Sequence, residues 1–225
     1  MEGQEVGLDV LIQEFNSIFT VEAPPKHTLK GGHLALKEYV ERYRDERFKT
    51  IAVEHKFEVR INGYVFKGRQ DRVVFDPLDG KHKVVDIKTT GKMGDSFHEQ
   101  ANPNQQFTGY IYVGNCEWGE IDTLVVDGVL VPYDYKEYKG QTKVMTADFE
   151  RIETSRDEFE LEEWKRGVEV TLDSLRRYQE IDYYPKWDNG YKCSQCGFRE
   201  LCLMPVDYRK VEPIGDLYEE RQIRS

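Results

Sequence analysis

The chain has 225 residues, enough for one domain of ordinary size with a real buried core. Hydrophobic residues make up 39% and charged residues 33%, and the apolar runs around Leu124–Val126 and Val129–Val131 are broken by Asp127 and Gly128, so a bilayer-spanning segment is not expected. The net charge of −10 argues against a protein that coats a duplex with a general basic surface, though not against an enzyme with a local basic groove.

In chain order, residues 1–30 are poorly patterned, and the acidic start Met1-Glu2-Gly3-Gln4-Glu5 lacks a basic-then-apolar leader, so a cytoplasmic protein is expected. Leu36, Tyr39, Val40 and Tyr43 fall at helical spacing and predict a helix over 33–47. The period then changes. Residues 51–61, 64–66, 73–75 and 83–88 alternate apolar and polar, with turn signals at Asn62-Gly63 and Asp79-Gly80, which predicts an antiparallel meander of three strands. A short helix is expected over 103–113 and a strand or strand pair over 121–131. A long helix is expected over 156–180, with Trp164, Val168, Leu172, Leu175 and Tyr178 on one face. The cysteine segment 191–205 is expected to close the core, followed by a charged tail over 206–225. The sum is an α/β protein with a central sheet, read as a single domain over 1–225 with its core at 31–190.

The chemistry concentrates in two stretches, Gly68-Arg69-Gln70-Asp71-Arg72 and Val85-Asp86-Ile87-Lys88-Thr89-Thr90. If both lie on paired strands, Asp71, Asp86 and Lys88 converge. Two carboxylates suit a hard divalent cation, Mg²⁺ or Mn²⁺, with the Ile87 carbonyl as a further oxygen. Lys88 follows Asp86 by two residues, so both point to one strand face, and its ammonium can orient a water or neutralise phosphate charge. That is equipment for metal-dependent phosphodiester hydrolysis. A surface strand carrying a salt bridge is the plainer reading of Asp-Ile-Lys alone.

The ordered set of motifs resembles the PD-(D/E)XK nuclease superfamily in its RecB-like exonuclease branch, which includes helicase–nuclease modules and CRISPR-associated adaptation exonucleases. His33 follows Gly31-Gly32; Glu54 sits in Val53-Glu54-His55-Lys56-Phe57; Gly68 to Arg72 matches G-x-x-D-R; Asp86 to Thr90 matches D-x-K-T-[ST]; and Gln106 to Tyr110 matches Q-x-x-x-Y. The resemblance spans 31–205 and implies a restriction-endonuclease-like core, a mixed sheet flanked by helices. It implies His33, Asp71 and Asp86 as metal ligands, Lys88 as catalytic, and Gln106 and Tyr110 as substrate-placing residues on one helix face. Glu54 acts near the site or simply pairs with a lysine, with Glu58 a rival for its place. His27, His55, His82 and His98 carry no clear signal.

Cys193, Cys196 and Cys202 resemble the branch's C-terminal C-x-x-C-x(5)-C element, which implies an iron–sulfur cluster (4Fe-4S) or Zn²⁺. Three thiolates are one short of the usual four, and no cysteine precedes Cys116. Cys116 or His27 would have to complete the set, or the segment is held only by packing around Phe198, Leu201 and Leu203. Tyr133, Tyr135 and Tyr138, interleaved with Lys136 and Lys139, form a candidate stacking surface for a single strand or a polar edge. Lys165, Arg166, Arg176 and Arg177 form either a basic face or solvated charges.

The expected function is a metal-dependent DNA nuclease, an exonuclease of recombination, repair or phage DNA metabolism in a bacterial, phage-infected or archaeal cell. Its partners would be single- or double-stranded DNA ends, recombination or replication proteins, and further copies of itself in a homo-oligomer, with no membrane. The alternatives are a catalytically silent DNA-end-binding scaffold of a recombination or CRISPR complex, and an enzyme acting on RNA.

Overall fold

The structure, a computed structural model, describes residues 7–19, 28–91, 93–132, 146–186 and 190–204. The Tyr133–Tyr138 cluster, His27 and the tail from 206 lie outside them. The chain divides into two compact units, Met1–Leu172 and Asp173–Ser225.

The first unit opens with helices α1 (Leu8–Ile18) and α2 (Leu29–Arg42). Strands β1 (Lys49–Ile61), β2 (Tyr64–Asp76) and β3 (Lys81–Thr90) follow. Helices α3 (Asp95–His98) and α4 (Gln105–Trp118) lead to β4 (Thr123–Leu130), β5 (Asp148–Ser155) and the start of α5 (Glu158–Glu180). The five strands lie in the order β1-β2-β3-β4-β5. The first three form the expected antiparallel meander, and the four short segments of the alternation merge into three long strands. Asn62 and Gly63 both adopt positive φ, 49° and 80°, the geometry of a tight hairpin whose twist matches its strands. β4 runs parallel to β3 through the α3–α4 crossover, and β5 returns antiparallel to β4. β4 is buried on both faces, which is why 123–130 reads as a near-continuous apolar run.

Helices cover both faces of the sheet. On one face Val73, Val84, Leu124 and Val126 pack with Phe107 and Ile111 of α4. On the other, Val74, Val85 and Val125 pack with Phe48. There Tyr39 of α2 donates to the buried Asp127 at 2.5 Å, and Arg151 grips the same carboxylate oxygen at 2.7 Å. Gly128 lets Phe97 of α3 lie against the sheet, since a Cβ there would come within 2.4 Å of the ring.

Several boundaries differ from expectation. α2 starts four residues early because Thr28 caps it, accepting from the Gly31 amide at 3.1 Å. α1 and β5 were not expected. Leu8, Leu11, Ile12 and Phe15 do fall at helical spacing, yet α1 buries no residue. On the expected face of α5, Trp164 is buried while Leu175 is 43% exposed. In the second unit, α6 (Gly190–Ser194) and α7 (Arg199–Leu203) bury no residue, so the cysteine segment builds no core of its own.

Candidate active site

The site begins where two strand ladders fail together. The β2–β3 ladder runs from Asp76↔Lys81 to Arg72↔Val85 and stops. One step further would set Asp71 opposite Asp86. The β1–β2 ladder includes Val53↔Arg72 and His55↔Gln70 but has no rung for Glu54 and Asp71 between them. Glu54 there has φ 51°, left-handed backbone inside a strand. The inside–outside alternation of β2 breaks at the same place. Gln70 donates to the Tyr110 carbonyl of α4 at 2.9 Å, and Val73, three residues on, packs in the same layer. An odd separation on one face means that the chain kinks across Asp71-Arg72. The strands therefore splay, and the Asp71 carboxylate reaches across to accept from the Ile87 amide at 2.9 Å.

Asp86 lies two residues beyond Val84 and turns to the α4 face, where it is 1% exposed. Its Oδ2 sits 2.8 Å from the Lys88 ammonium, an ion pair whose angles fall outside hydrogen-bond geometry. Burial pushes the Asp86 carboxyl above its ordinary range; Lys88 pulls it down and the charge of Asp71 pushes it further up. The two carboxylates are thus close enough to repel each other. Lys88 also donates to Gln106 Oε1 at 3.3 Å, and Gln106 Nε2 donates to the Tyr110 hydroxyl at 3.0 Å. Asp71, Asp86, Lys88, Gln106 and Tyr110 thus form one neighbourhood at the splay.

The helix that carries Gln106 is held from three sides. Asn104 caps it, accepting from the Phe107 amide at 3.1 Å. Trp164 donates to the Gln105 carbonyl at 3.1 Å. Arg156, 4% exposed, binds Thr108 Oγ1 at 2.9 Å, Ala101 O at 3.0 Å, Thr154 Oγ1 at 2.7 Å and Ser155 O at 2.7 Å, all neutral acceptors. Arg156 and Gln70 escaped the sequence reading, since no spacing rule marks a buried polar side chain whose partners are distant in sequence.

Other expected residues lie apart from this group. His33 Nε2 is bonded to Asn16 Oδ1 of α1 at 2.6 Å, with the Phe15 ring at 5.8 Å, and makes no contact with Asp71 or Asp86 among the described residues. Glu54 pairs with Arg69 at 2.8 Å, and Glu58 with Lys67 at 2.8 Å. The Ile87 side chain points to the opposite face, where it lines an apolar cavity with Leu36 and Tyr39 of α2. Cys193, Cys196 and Cys202 form no disulfide among the described residues.

Among the described residues no group of three or more His, Cys, Asp or Glu side chains is gathered as a metal-holding cluster. Among the described residues the three thiols are not gathered into the closed set of ligands that a zinc or iron–sulfur centre needs. Asp71 and Asp86 do fit Mg²⁺. It needs only one or two carboxylates when water and substrate phosphate fill the remaining positions, and mutually repelling oxygens at a splayed edge offer that donor set.

A mixed sheet covered by helices, with two acids and a lysine at the splay of its strands, has the groups of a nuclease-type site. A family profile described as the PD-(D/E)XK nuclease superfamily matches residues 7–203. The chain belongs to that superfamily and is a nuclease of the hydrolase class. Among solved structures it is similar to the "Putative exonuclease" of Eubacterium rectale, with TM-score 0.50 and 14% identity over 94% of this chain and 81% of that one. This likeness supports the restriction-endonuclease-like fold. A second solved structure, SSO0001, matches with TM-score 0.38 and 15% identity over 87% of this chain and 77% of that one. No curated protein matches the chain. No helix of the described residues is long and apolar enough to cross a membrane.

Proposed function

We propose that this chain is a divalent-cation-dependent deoxyribonuclease that degrades DNA from strand ends, with Asp71, Asp86 and Lys88 as its catalytic centre. The observation that carries the reading is the contact chain from Asp86 through Lys88 and Gln106 to Tyr110, beside Asp71 at the splay of β2 and β3.

Asp71, Asp86 and the Ile87 carbonyl would hold Mg²⁺ or Mn²⁺, which supplies a polarised phosphate and a bound water of lowered pKa. The residues divide the remaining work. Asp71 fixes the Ile87 peptide, and with it the direction of the Ile87 carbonyl. Lys88 stands beside the carboxylates, where its ammonium orients the attacking water and offsets charge on the phosphorane. Gln106 holds Lys88 in place, and Tyr110 holds Gln106. The buried surroundings of Asp86 strengthen each of these interactions. Glu54 serves by shaping the kink beside Asp71. His33 would join as a ligand only by releasing Asn16.

The test is digestion of an end-labelled linear duplex, a single strand and a closed circle with Mg²⁺, Mn²⁺ or EDTA, alongside Lys88→Ala. Metal-dependent loss of the linear substrates, sparing the circle and absent in the variant, is the expected result. Cleavage of the closed circle overturns the end-directed part. DNA binding without cleavage in either metal overturns the catalytic assignment and leaves an end-binding scaffold.

A further inference from the structure

We infer that Gln70 is a positioning residue for cleavage, pinning α4 to β2 at Tyr110 and so setting the spacing between Asp71 and the Lys88–Gln106 pair; the inference rests on the nuclease reading. Gln70 stands one residue before Asp71, on the rung with His55 that adjoins the gap at Glu54 and Asp71. Its side chain is fully buried and crosses to the helix, where Nε2 donates to the Tyr110 carbonyl at 2.9 Å. A carbonyl can only accept, which fixes the amide with its nitrogen toward α4.

Two features set this bond apart from ordinary packing. The Tyr110 carbonyl lies inside α4 and already serves the helix ladder, so the fold does not need Gln70 to satisfy it. Gln70 Oε1, meanwhile, is buried with no hydrogen-bond partner among the described residues. A buried polar atom left unpaired destabilises a fold, and a methionine would fill the same space without stranding one. A polar side chain kept there against the stability of the core, one residue from a reacting carboxylate, fits a functional constraint.

The bond closes a ring of contacts around the splay. Asp71 reaches across to the Ile87 amide on β3. Lys88, next on that strand, donates to Gln106, and Gln106 donates to the Tyr110 hydroxyl. Those contacts tie α4 to β3. Gln70 ties the same turn of α4 to β2, the strand of Asp71, where the ladder between β2 and β3 has ended. Side chains thus hold the two acid-bearing strands at a set spacing where the backbone does not. A second pin, His55 to Glu117 at 2.7 Å, holds the far end of α4. Glu117 lies about 16 Å along the helix from Gln106 and takes no part in the chain through Lys88.

Steady-state cleavage of an end-labelled linear duplex by the full chain in Mg²⁺ tests this, with kcat and KM resolved and a thermal melt for each variant. Gln70→Met keeps the length and burial and loses the donor. It is expected to melt near the wild-type temperature and to lower kcat about tenfold at unchanged KM, because a small misplacement at the reacting centre slows the step without weakening binding. In a Gln106→Ala background the same substitution should cost little more, since both act on Lys88 through α4. Glu117→Ala, which releases the other pin, keeps the wild-type kcat. A wild-type kcat in Gln70→Met, a loss confined to KM, a loss fully additive with Gln106→Ala, or one that Glu117→Ala matches overturns the positioning role. So does melting well below the wild type in both Gln70→Met and Gln70→Leu, because the bond is then a brace of the fold. Each of these outcomes leaves the nuclease reading intact, whereas a wild-type chain that cleaves no DNA in Mg²⁺ or Mn²⁺ overturns both.

Discussion

The Asp71 carboxylate accepts a hydrogen bond from the Ile87 amide at 2.9 Å, one step past the last rung between β2 and β3. A side chain takes over where the backbone ladder ends, and the amide it satisfies lies between Asp86 and Lys88. Asp71→Asn keeps an oxygen for that amide and loses only the charge; Asp71→Ala loses both. Both variants are expected to lose about 100-fold or more in cleavage rate, because a charged group at the reacting centre is gone. Only the alanine variant is expected to melt lower, by about 2–4 °C for the roughly 1 kcal/mol of a lost hydrogen bond. Equal melting of the two would show that the contact does not brace the splay.

Gln106 links Lys88 to Tyr110, with contacts of 3.3 Å and 3.0 Å. Residues acting through a shared chain do not contribute independently. Gln106→Ala and Tyr110→Phe are each expected to slow cleavage, the first by about 10–100-fold and the second by less. The double variant should be scarcely slower than Gln106→Ala, giving a coupling about equal to the whole Tyr110→Phe loss, roughly 0.5–2 kcal/mol. Additive losses would place Tyr110 outside the chain and leave it a packing residue against Phe57.

The readable parts of this fold share a physical cause. The meander shows because Asn62-Gly63 and Asp79-Gly80 demand turns and the strands between them alternate. The acids and the lysine show because charged side chains are out of place at the end of apolar strands. β5 does not show, because its buried Thr154 and the neighbouring Arg156 are polar and rely on the Ala101 carbonyl and Thr108, partners 48 or more residues away. Gln70 and Asp127 are hidden for the same reason: each is fully buried, and neither carries a pattern that says what satisfies it. Hydrophobic period reports transfer from water, whereas these residues are held by hydrogen bonds that exist only after the chain has folded. The kink at Glu54 is invisible too, since glutamate carries no preference for positive φ.

That kink can be probed by stability alone. Glu54 adopts φ 51° inside β1, a conformation that costs an L residue roughly 1–2 kcal/mol. Glycine adopts it freely, though it gives back about 0.5–1 kcal/mol of that through greater freedom of the unfolded chain. The exposed pair with Arg69 adds little. Glu54→Gly is therefore expected to melt at or slightly above the wild-type temperature, and Glu54→Ala below the glycine variant. A glycine variant that melts well below the alanine one would mean that the positive φ is not kept in solution. Cleavage by the glycine variant reports separately whether the Glu54 carboxylate has a role beyond shaping the strand.

The last prediction concerns acid. Asp76 has a fully buried side chain, gripped by Arg47 through two bonds of 2.9 Å, by Lys83 at 2.9 Å and by the Leu78 amide at 3.0 Å. The Arg47 hydrogen bonds, partly opposed by burial and reinforced by Lys83 and the Leu78 amide, hold its carboxyl well below the usual carboxylate range. A depressed folded-state pKa contributes stability that is fully present above the unfolded value near 3.9 and is lost as pH falls toward the folded one. Wild-type stability should therefore decline from about pH 4 downward along a limb to which Asp76 contributes. Asp76→Asn removes that contribution. At neutral pH it is expected to cost about 3 kcal/mol, the low end for breaking a buried pair, because Lys83 retains Asp79 at 2.9 Å. Its stability should then fall less steeply below pH 4, so that the two curves converge in acid. Denaturant midpoints measured from pH 7 to pH 2 check this. Curves that stay parallel down to pH 2 would show that the Asp76 carboxylate is not the group whose protonation weakens the fold.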